Sequence, residues 1–449
     1  MSKLPNIQIS RKPTYIKLVQ SMDFYTLFKK IEQQFKTCFI FESLGEEGKF
    51  ARYSVIGFDP QNVISARGNS LFVDDEEYKE ENPYFSLREM MPAKTIARNY
   101  CGGLIGYLSY EAVNYFEPSI NFKEHPKFDN FLFGVYTDGV ILDKLTNEIF
   151  YFYYHKNRSS LLTKITKTKL KKSKLQVKFL KDSLTKKEHA EIVEKVKEEI
   201  KSGNIFQCEV GFKSEFKILG DTLKIYEKLR RVNPSPFMYY LKFGQKKIIG
   251  ASPELLFGLR DGEMQTSPLA GTIKRGKNQS EDQRLARELL SDPKEIAEHN
   301  MLVDLHRNDI GKVAEFGTVK VRDLMSVKRF SHVQHISSEI VGIVKKGEDM
   351  FSALAANFPA GTLTGAPKIE AMKIIDRTED QARGPYGGAV GQFSFNGDCT
   401  FAIDIRSLFI SKDYAFTQTS GGIVYDSKPN KEYEEIQTKL AAMKEVLLT

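Results

Sequence analysis

The stretch DPKEIAEHNMLVDLHRNDIG, from Asp292 to Gly311, sets how the rest of the chain is read. Asp292 is a residue type whose side chain caps a helix, Pro293 suits the first helical position, and Glu295 follows the cap by three residues. This spacing predicts a helix. It puts Glu295 and Glu298 on one face, with His299 beside them and Met301, Leu302 and Leu305 available to a core. Two carboxylates one turn apart can ligate a hard cation, although an E-x-x-E pair alone is ordinarily a solvated helix face. A second acidic pair tips the balance, and EYEEIQTKLAAMKEVLL supplies one in Glu432 and Glu435. Four carboxylates on two helices could enclose Mg2+, which takes oxygen ligands and keeps positions open for substrate and water. With neither C-x-x-C nor H-E-x-x-H present, zinc is not expected, and His299 and His306 are expected in the core or behind the ligands.

Composition narrows the class. A chain of 449 residues, 41% hydrophobic and 12% aromatic, implies two domains or one large layered domain and argues against disorder. The sequence holds no unbroken apolar run of about 18 residues, so no membrane span is expected. The start MSKLPNIQIS lacks an apolar signal core, and a cytoplasmic protein is expected. Cys38, Cys101, Cys208 and Cys399 lie far apart, which suggests no disulfide framework. The net charge of +8 is local: twelve Lys and Arg face one Asp between Lys156 and Lys187, so the remainder is slightly acidic. Such blocks are mostly solvated, and nucleic acid is not expected as a partner.

Three regions follow. Residues 1–155 read as an antiparallel sheet with a few helices, beginning with a helical stretch from about Met22. Residues 156–184 read as a basic linker or surface excursion. Residues 185–449 open with a T-x-x-E capping box, Thr185 and Glu188, on a helix that Gly203 ends. In FPAGTLTGAPK the Walker pattern fails because Lys368 follows Pro367, leaving the Thr362 hydroxyl and a helix N-terminus to meet an anion. In TSGGIVYDS, Gly421 and Gly422 offer bare backbone to an oxyanion. CTFAIDIRSLFI reads as one strand whose alternation puts Asp404 and Arg406 on the same face. Arg406 could clamp a substrate carboxylate, or be held by Asp404 in a structural pair.

GASPELL, PLAGTIKRG, KEIAEHNMLVDLHRNDIGKV, SHVQHI, PAGTLTGAPK, RGPYGGAVG and GIVYDS, in this order, resemble the chorismate-utilising enzymes, and among them most closely the large subunits of anthranilate synthases. The resemblance covers nearly the whole chain and implies an α+β fold, a four-layer sandwich of large antiparallel β-sheets flanked by helices. It implies Mg2+ on Glu298 and Glu435, with Glu295 and Glu432 supporting through water, holding the ring carboxylate of chorismate. Thr362, Tyr386, Arg406, Gly421, Gly422 and Lys439 would frame the ring and the enolpyruvyl carboxylate. Glu254 resembles the acid that protonates the departing C4 hydroxyl, a role needing a pKa raised towards neutrality. His335 resembles the histidine associated with loss of pyruvate.

Two positions separate branches of the family. Gln207 stands where isochorismate and salicylate synthases carry a water-activating lysine, which favours ammonia as nucleophile. In PLAGT (Ala270, Gly271, Thr272), Ala270 stands where many aminodeoxychorismate synthases carry lysine, which favours attack at C2 and anthranilate. Ile273 and Lys274 lean the other way, towards 4-amino-4-deoxychorismate. Glu42, Ser43, Arg52, Tyr53 and Ser54, with Asn233, Pro234, Ser235, Pro236, Phe237 and Met238, match a tryptophan feedback site, and Phe237 replaces a common Tyr. No glutaminase region is recognisable, so ammonia is expected from a separate glutamine amidotransferase subunit or from solution. Asp404, Ser420 and Asn430 depart from the family pattern. Asp404 is expected to compete with or repel the substrate carboxylate.

Overall fold

The computed structural model describes the chain except for residues 1–3, 19–22, 45–51, 98–99, 172, 331–332 and 449. The start of the first helix near Met22 and the opening of SHVQHI thus fall outside the described residues. Two twelve-stranded sheets, antiparallel at every pairing among the described residues, form the framework. Each combines strands from both ends of the chain. In the first, Thr37–Glu42 pairs with Phe237–Phe243, and in the second, Gly103–Leu108 pairs with Ala389–Ser394.

Alternation explains the layering. In the first sheet Phe39, Val55, Ile141, Tyr239 and Ile248 face the second sheet's core, while Ile40, Ile56, Val140, Tyr240 and Ile249 face a separate helical layer. That layer contains Phe28, Ile31, Tyr226, Leu229 and Met443 from the helices Phe24–Glu32, Leu223–Val232 and Pro429–Leu448. Both faces are buried, so strands such as TCFIFE read as near-continuous apolar runs. Burial of one such Phe or Ile contributes about 1.5–3 kcal/mol.

The basic segment, expected as a linker or surface excursion, carries regular structure on the surface. Ser159–Lys167 is a helix that buries Leu162 and Ile165 in the helical layer, and Leu175–Asp182 is an edge strand on Gln207–Gly220. Its side chains are mostly exposed, and the ladder of backbone hydrogen bonds holds it in place. An edge strand rich in Lys resists pairing with other chains, which is why its composition reads as solvated.

CTFAIDIRSLFI differs from the one strand expected. Cys399–Ile403 lies in the second sheet and Ser407–Ser411 in the first, so the chain crosses between sheets at Asp404–Arg406. Arg406 has φ +52°, outside the strand region, and the period-two pattern breaks there. A second crossing runs beside it, from Lys246–Ser252 in the first sheet to Leu255–Arg260 in the second. The two are tied by Ile403 N–H to Glu254 O (3.1 Å) and Ala251 N–H to Arg406 O (3.3 Å). Glu254 and Arg406 are therefore held side by side where the chain passes between the layers.

Candidate active site

The helix Pro293–Gly311 starts as its sequence requires, with Asp292 accepting from Lys294 N–H and Pro293 in the first turn. Glu295 is not used to close a capping box. It accepts the backbone N–H of Thr272 instead, at a bulge where Leu269–Lys274 slips register against Val333–Ile343. Gly271 occupies that bulge at φ +66°, and a Cβ there would lie 2.9 Å from Glu295 Oε2. Only glycine lets the strand approach the helix so closely.

The same bulge orients His335. Its Nδ1 lies 3.0 Å from the Gly271 carbonyl and 3.0 Å from Thr272 Oγ1. A carbonyl can only accept, so Nδ1 carries the proton in neutral His335 and Nε2 keeps a free lone pair. That Nε2 is buried without a partner among the described residues. Burial, with Arg406 and Lys439 adding repulsion, pushes the imidazole down to about 4. His299 and His306 serve the core: His299 Nε2 meets Ser338 Oγ at 2.7 Å and His306 Nδ1 meets Thr266 Oγ1 at 2.8 Å.

Glu254 is 5% exposed. Its Oε1 accepts from Thr362 Oγ1 at 3.1 Å and weakly from Leu269 N–H at 3.4 Å. Burial outweighs these bonds and pushes the carboxyl up to about 8. Thr362 is placed by a short turn, Gly361–Leu363, ahead of the helix Lys368–Thr378. Lys368 is bound by Asp309 Oδ2 (2.5 Å) and Pro359 O (2.7 Å), so it anchors this turn to the Pro293–Gly311 helix.

Arg406 makes no side-chain hydrogen bond or ion pair among the described residues, and burial lowers its pKa against the pull of Glu254. Asp404, the alternative partner, does not pair with Arg406. Asp404 is fully buried, accepts from Tyr239 OH at 2.9 Å and lies in a cluster with Ser407. Burial pushes Asp404 up to about 7, and it acts on Tyr239 rather than on Arg406.

Four helix carboxylates approach one another without converging. Burial raises the pKa of Glu298, and the charges of Glu295 and Glu435 add to it; Glu295 and Glu432 are raised by burial and also feel Glu435. As placed, no three His, Cys, Asp or Glu side chains among the described residues form a ready cation cage. Lys439 ties Glu435 at 2.8 Å and donates to Ser420 O at 3.0 Å. The all-oxygen donor set and its mutual repulsion fit a divalent hard cation better than any soft metal.

Glu209 is a charged neighbour of Gln207 that motif reading did not single out. It lies two residues beyond Gln207 on Gln207–Gly220, so strand alternation alone could have placed both on one face. Its Oε2 accepts from Ser420 Oγ (2.7 Å), which in turn accepts from Tyr386 OH (2.9 Å). Burial first, then Glu298 and Glu435, push Glu209 up to about 7 against Lys439. Ser420, where the family pattern has glycine, is thus the link between Tyr386 and Glu209. Gly421 and Gly422 continue the same strand, Tyr414–Ile423, with Gly422 against Gln207. Ala270 is buried beside the bulge.

A cavity of about 170 Å³ lies between the two sheets. Glu42, Ser43, Tyr53, Pro236, Phe237 and Met238 line it, as do Tyr239, Arg260 and Gln392. The pairing Met238 to Glu42 brings the two sequence segments together. Glu42 is bound by Arg230 (2.9 Å) and Tyr226 (3.0 Å), and Arg52 pairs with Asp143 at 2.6 Å. Ser54 is buried, Asn233 ends the helix Leu223–Val232, Pro234 follows, and the Ser235 carbonyl accepts from Leu44 N–H.

Two neighbouring crossings between the sheets, running in opposite directions, thus bring a buried acid and an arginine without a side-chain partner among the described residues close to the acidic helices, an arrangement suited to a substrate that carries a carboxylate. Residues 36–445 match the chorismate binding enzyme family model, and the chain belongs to that family. It is 51% identical to anthranilate synthase component 1 of Leptospira biflexa, over 99% of this chain and 98% of that one. The crystal structure of anthranilate synthase component I from Streptococcus pneumoniae superposes with a TM-score of 0.79 at 31% identity, covering 89% of this chain and 93% of that one. The menaquinone-specific isochorismate synthase of Escherichia coli shares the fold, with a TM-score of 0.76 at 17% identity over 99% and 96% of the two chains.

Proposed function

We propose that this chain is the aminating component of an anthranilate synthase, converting chorismate and ammonia to anthranilate and pyruvate. The observation that carries the reading is the buried Glu254 beside Arg406, which has no side-chain partner among the described residues, within a chain 51% identical over its length to an anthranilate synthase component 1. Arg406 receives a substrate carboxylate as a two-pronged donor whose neighbour Asp404 is already engaged. Glu254 is raised to about 8, so it holds its proton at neutral pH and gives it to the departing C4 hydroxyl. Thr362 donates to Glu254 Oε1, leaving the other oxygen to carry that proton. Nε2 of His335 then accepts the proton lost from C2 as pyruvate leaves and the ring becomes aromatic.

Glu298 and Glu435, supported by Glu295 and Glu432, would hold magnesium, which supplies positive charge to the ring carboxylate. This makes the enzyme a magnesium-dependent carbon–oxygen lyase. Ammonia comes from a separate glutamine amidotransferase subunit. The cavity at Met238 and Phe237 takes L-tryptophan as feedback inhibitor, with Phe237 supplying ring contact but no hydroxyl. All four cysteines are buried and unbridged, which suits the cytoplasm, and no helix among the described residues is long and apolar enough to cross a membrane. The aminodeoxychorismate alternative draws no support from the relatives, whose names at 40–51% identity are anthranilate synthase component 1. Incubation with chorismate, magnesium and ammonium is expected to release pyruvate at the rate anthranilate fluorescence grows; pyruvate without a fluorescent product would refute the reading.

A further inference from the structure

Arg406 sits in a backbone conformation that a side chain rarely adopts. Its φ of +52° costs free energy, and such a residue persists only where its surroundings over-determine it. Backbone bonds supply part of the hold: Ile405 N–H donates to Ile403 O at 3.0 Å, and Ala251 N–H donates to Arg406 O at a long 3.3 Å. A guanidinium that receives a carboxylate through two parallel bonds must also be aimed to within roughly half an ångström. Without a side-chain partner of its own among the described residues, Arg406 depends for that aim on the turn that carries it.

The first sheet supplies the rest of the hold. Tyr239, Gly250 and Ser407 are in register on three neighbouring strands, Phe237–Phe243, Lys246–Ser252 and Ser407–Ser411. A Cβ on Gly250 would lie 2.2 Å from the Tyr239 ring and 2.2 Å from Ser407 Oγ, so the ring passes over bare backbone. Its hydroxyl thereby reaches the crossing, donating to Asp404 Oδ1 at 2.9 Å and meeting Ser407 Oγ at 2.8 Å. Ser407 Oγ in turn donates to Ile405 O at 3.0 Å. From the second sheet, Asp404 N–H donates to Gly388 O at 3.1 Å and Gly387 N–H donates to Asp404 O at 3.0 Å, which fixes Asp404 to the turn after Tyr386. The residues on both sides of Arg406 are therefore clamped. Packing alone does not account for a carboxyl here: Asp404 is fully buried and its Oδ2 has no partner among the described residues, whereas an apolar side chain would fill the space without that cost.

We propose that Asp404 and Tyr239 are positioning residues for Arg406: the Tyr239 hydroxyl holds Asp404, and Asp404 sets the turn that aims the guanidinium at the substrate carboxylate. The inference rests on the chorismate reading above and adds to it the pair that orients its carboxylate clamp. Both side chains act through the backbone of the crossing. Their loss weakens a contact made in the ground state and the transition state alike, so it raises KM and spares kcat.

The test is steady-state kinetics on the full chain, with chorismate varied at saturating magnesium and ammonium. Tyr239→Phe keeps the ring over Gly250 and loses only the hydroxyl, while Asp404→Ala loses the acceptor. Each is expected to raise the KM for chorismate about ten-fold, the order of one hydrogen bond to a charged group, with kcat within about two-fold of wild type. Asp404→Asn keeps an oxygen for Tyr239 and should stay within about three-fold of the wild-type KM. The double variant Tyr239→Phe, Asp404→Ala should be no worse than either single one, because the two side chains act as a unit. Tyr239→Phe, the milder change, decides the matter if Asp404→Ala does not fold. A wild-type KM in Tyr239→Phe, an Asp404→Asn as impaired as Asp404→Ala, or a kcat that falls with KM unchanged would overturn the assignment. A wild-type protein that does not turn over chorismate would overturn the reading of the reaction, and this inference with it.

Discussion

Asp404→Asn isolates one buried carboxyl whose ionisation the fold opposes. Burial raises Asp404 from 3.8 to about 7, while Tyr239 and Ser407 pull the other way. The folded state therefore binds the proton more tightly than the unfolded one. Its stabilising contribution is complete below about pH 4 and is lost as pH rises through about 7. The full change corresponds to roughly 4 kcal/mol, of which about 3 kcal/mol falls between pH 5 and pH 8. Asparagine keeps an oxygen for Tyr239 OH, now 2.9 Å from Oδ1, and cannot ionise. Urea unfolding of both proteins at pH 5 and pH 8 measures the effect. Glu111, Glu209 and Glu254, also raised by burial, titrate in both proteins and cancel in the difference. The variant should gain about 3 kcal/mol relative to wild type on going from pH 5 to pH 8. A difference that does not depend on pH would refute the reasoning.

The catalytic groups give sharper outcomes. Wild-type turnover should fall as pH rises through about 8, where Glu254 loses its proton, and Glu254→Gln should lower kcat by about a hundred-fold or more and abolish that fall. Glu298→Gln should remove the thermal stabilisation that magnesium gives the wild type, read by a melting curve with and without the ion; equal stabilisation would refute the metal assignment. His335→Asn should slow pyruvate release more than chorismate consumption, so that an aminated, non-aromatic intermediate accumulates; parallel losses would remove His335 from the second step.

The helices were the most legible elements. Thr185 and Glu188 form the capping box their spacing predicts, and Asp292 and Pro293 open the helix that carries Glu295 and Glu298. Short-range chemistry decides such ends. The crossing at Asp404–Arg406 was not legible, because apolar alternation continues through a residue whose backbone turns left-handed. The edge strand Leu175–Asp182 was hidden for the opposite reason: its pairing is carried by backbone, and its side chains hold almost no apolar pattern. Departures read singly were misjudged. Asp404 was expected to compete with or repel the substrate carboxylate, but Tyr239 and Ser407 engage it, and Ser420 makes sense only with Glu209 on the neighbouring strand. Partners that lie 165 and 211 residues away in sequence become visible only in the fold.

Amination of chorismate at C2 by this chain is open to a direct measurement. The purified protein, given chorismate, magnesium and ammonium, and its products separated by chromatography, should yield anthranilate and pyruvate in equal amounts. Accumulation of 4-amino-4-deoxychorismate without pyruvate would contradict it.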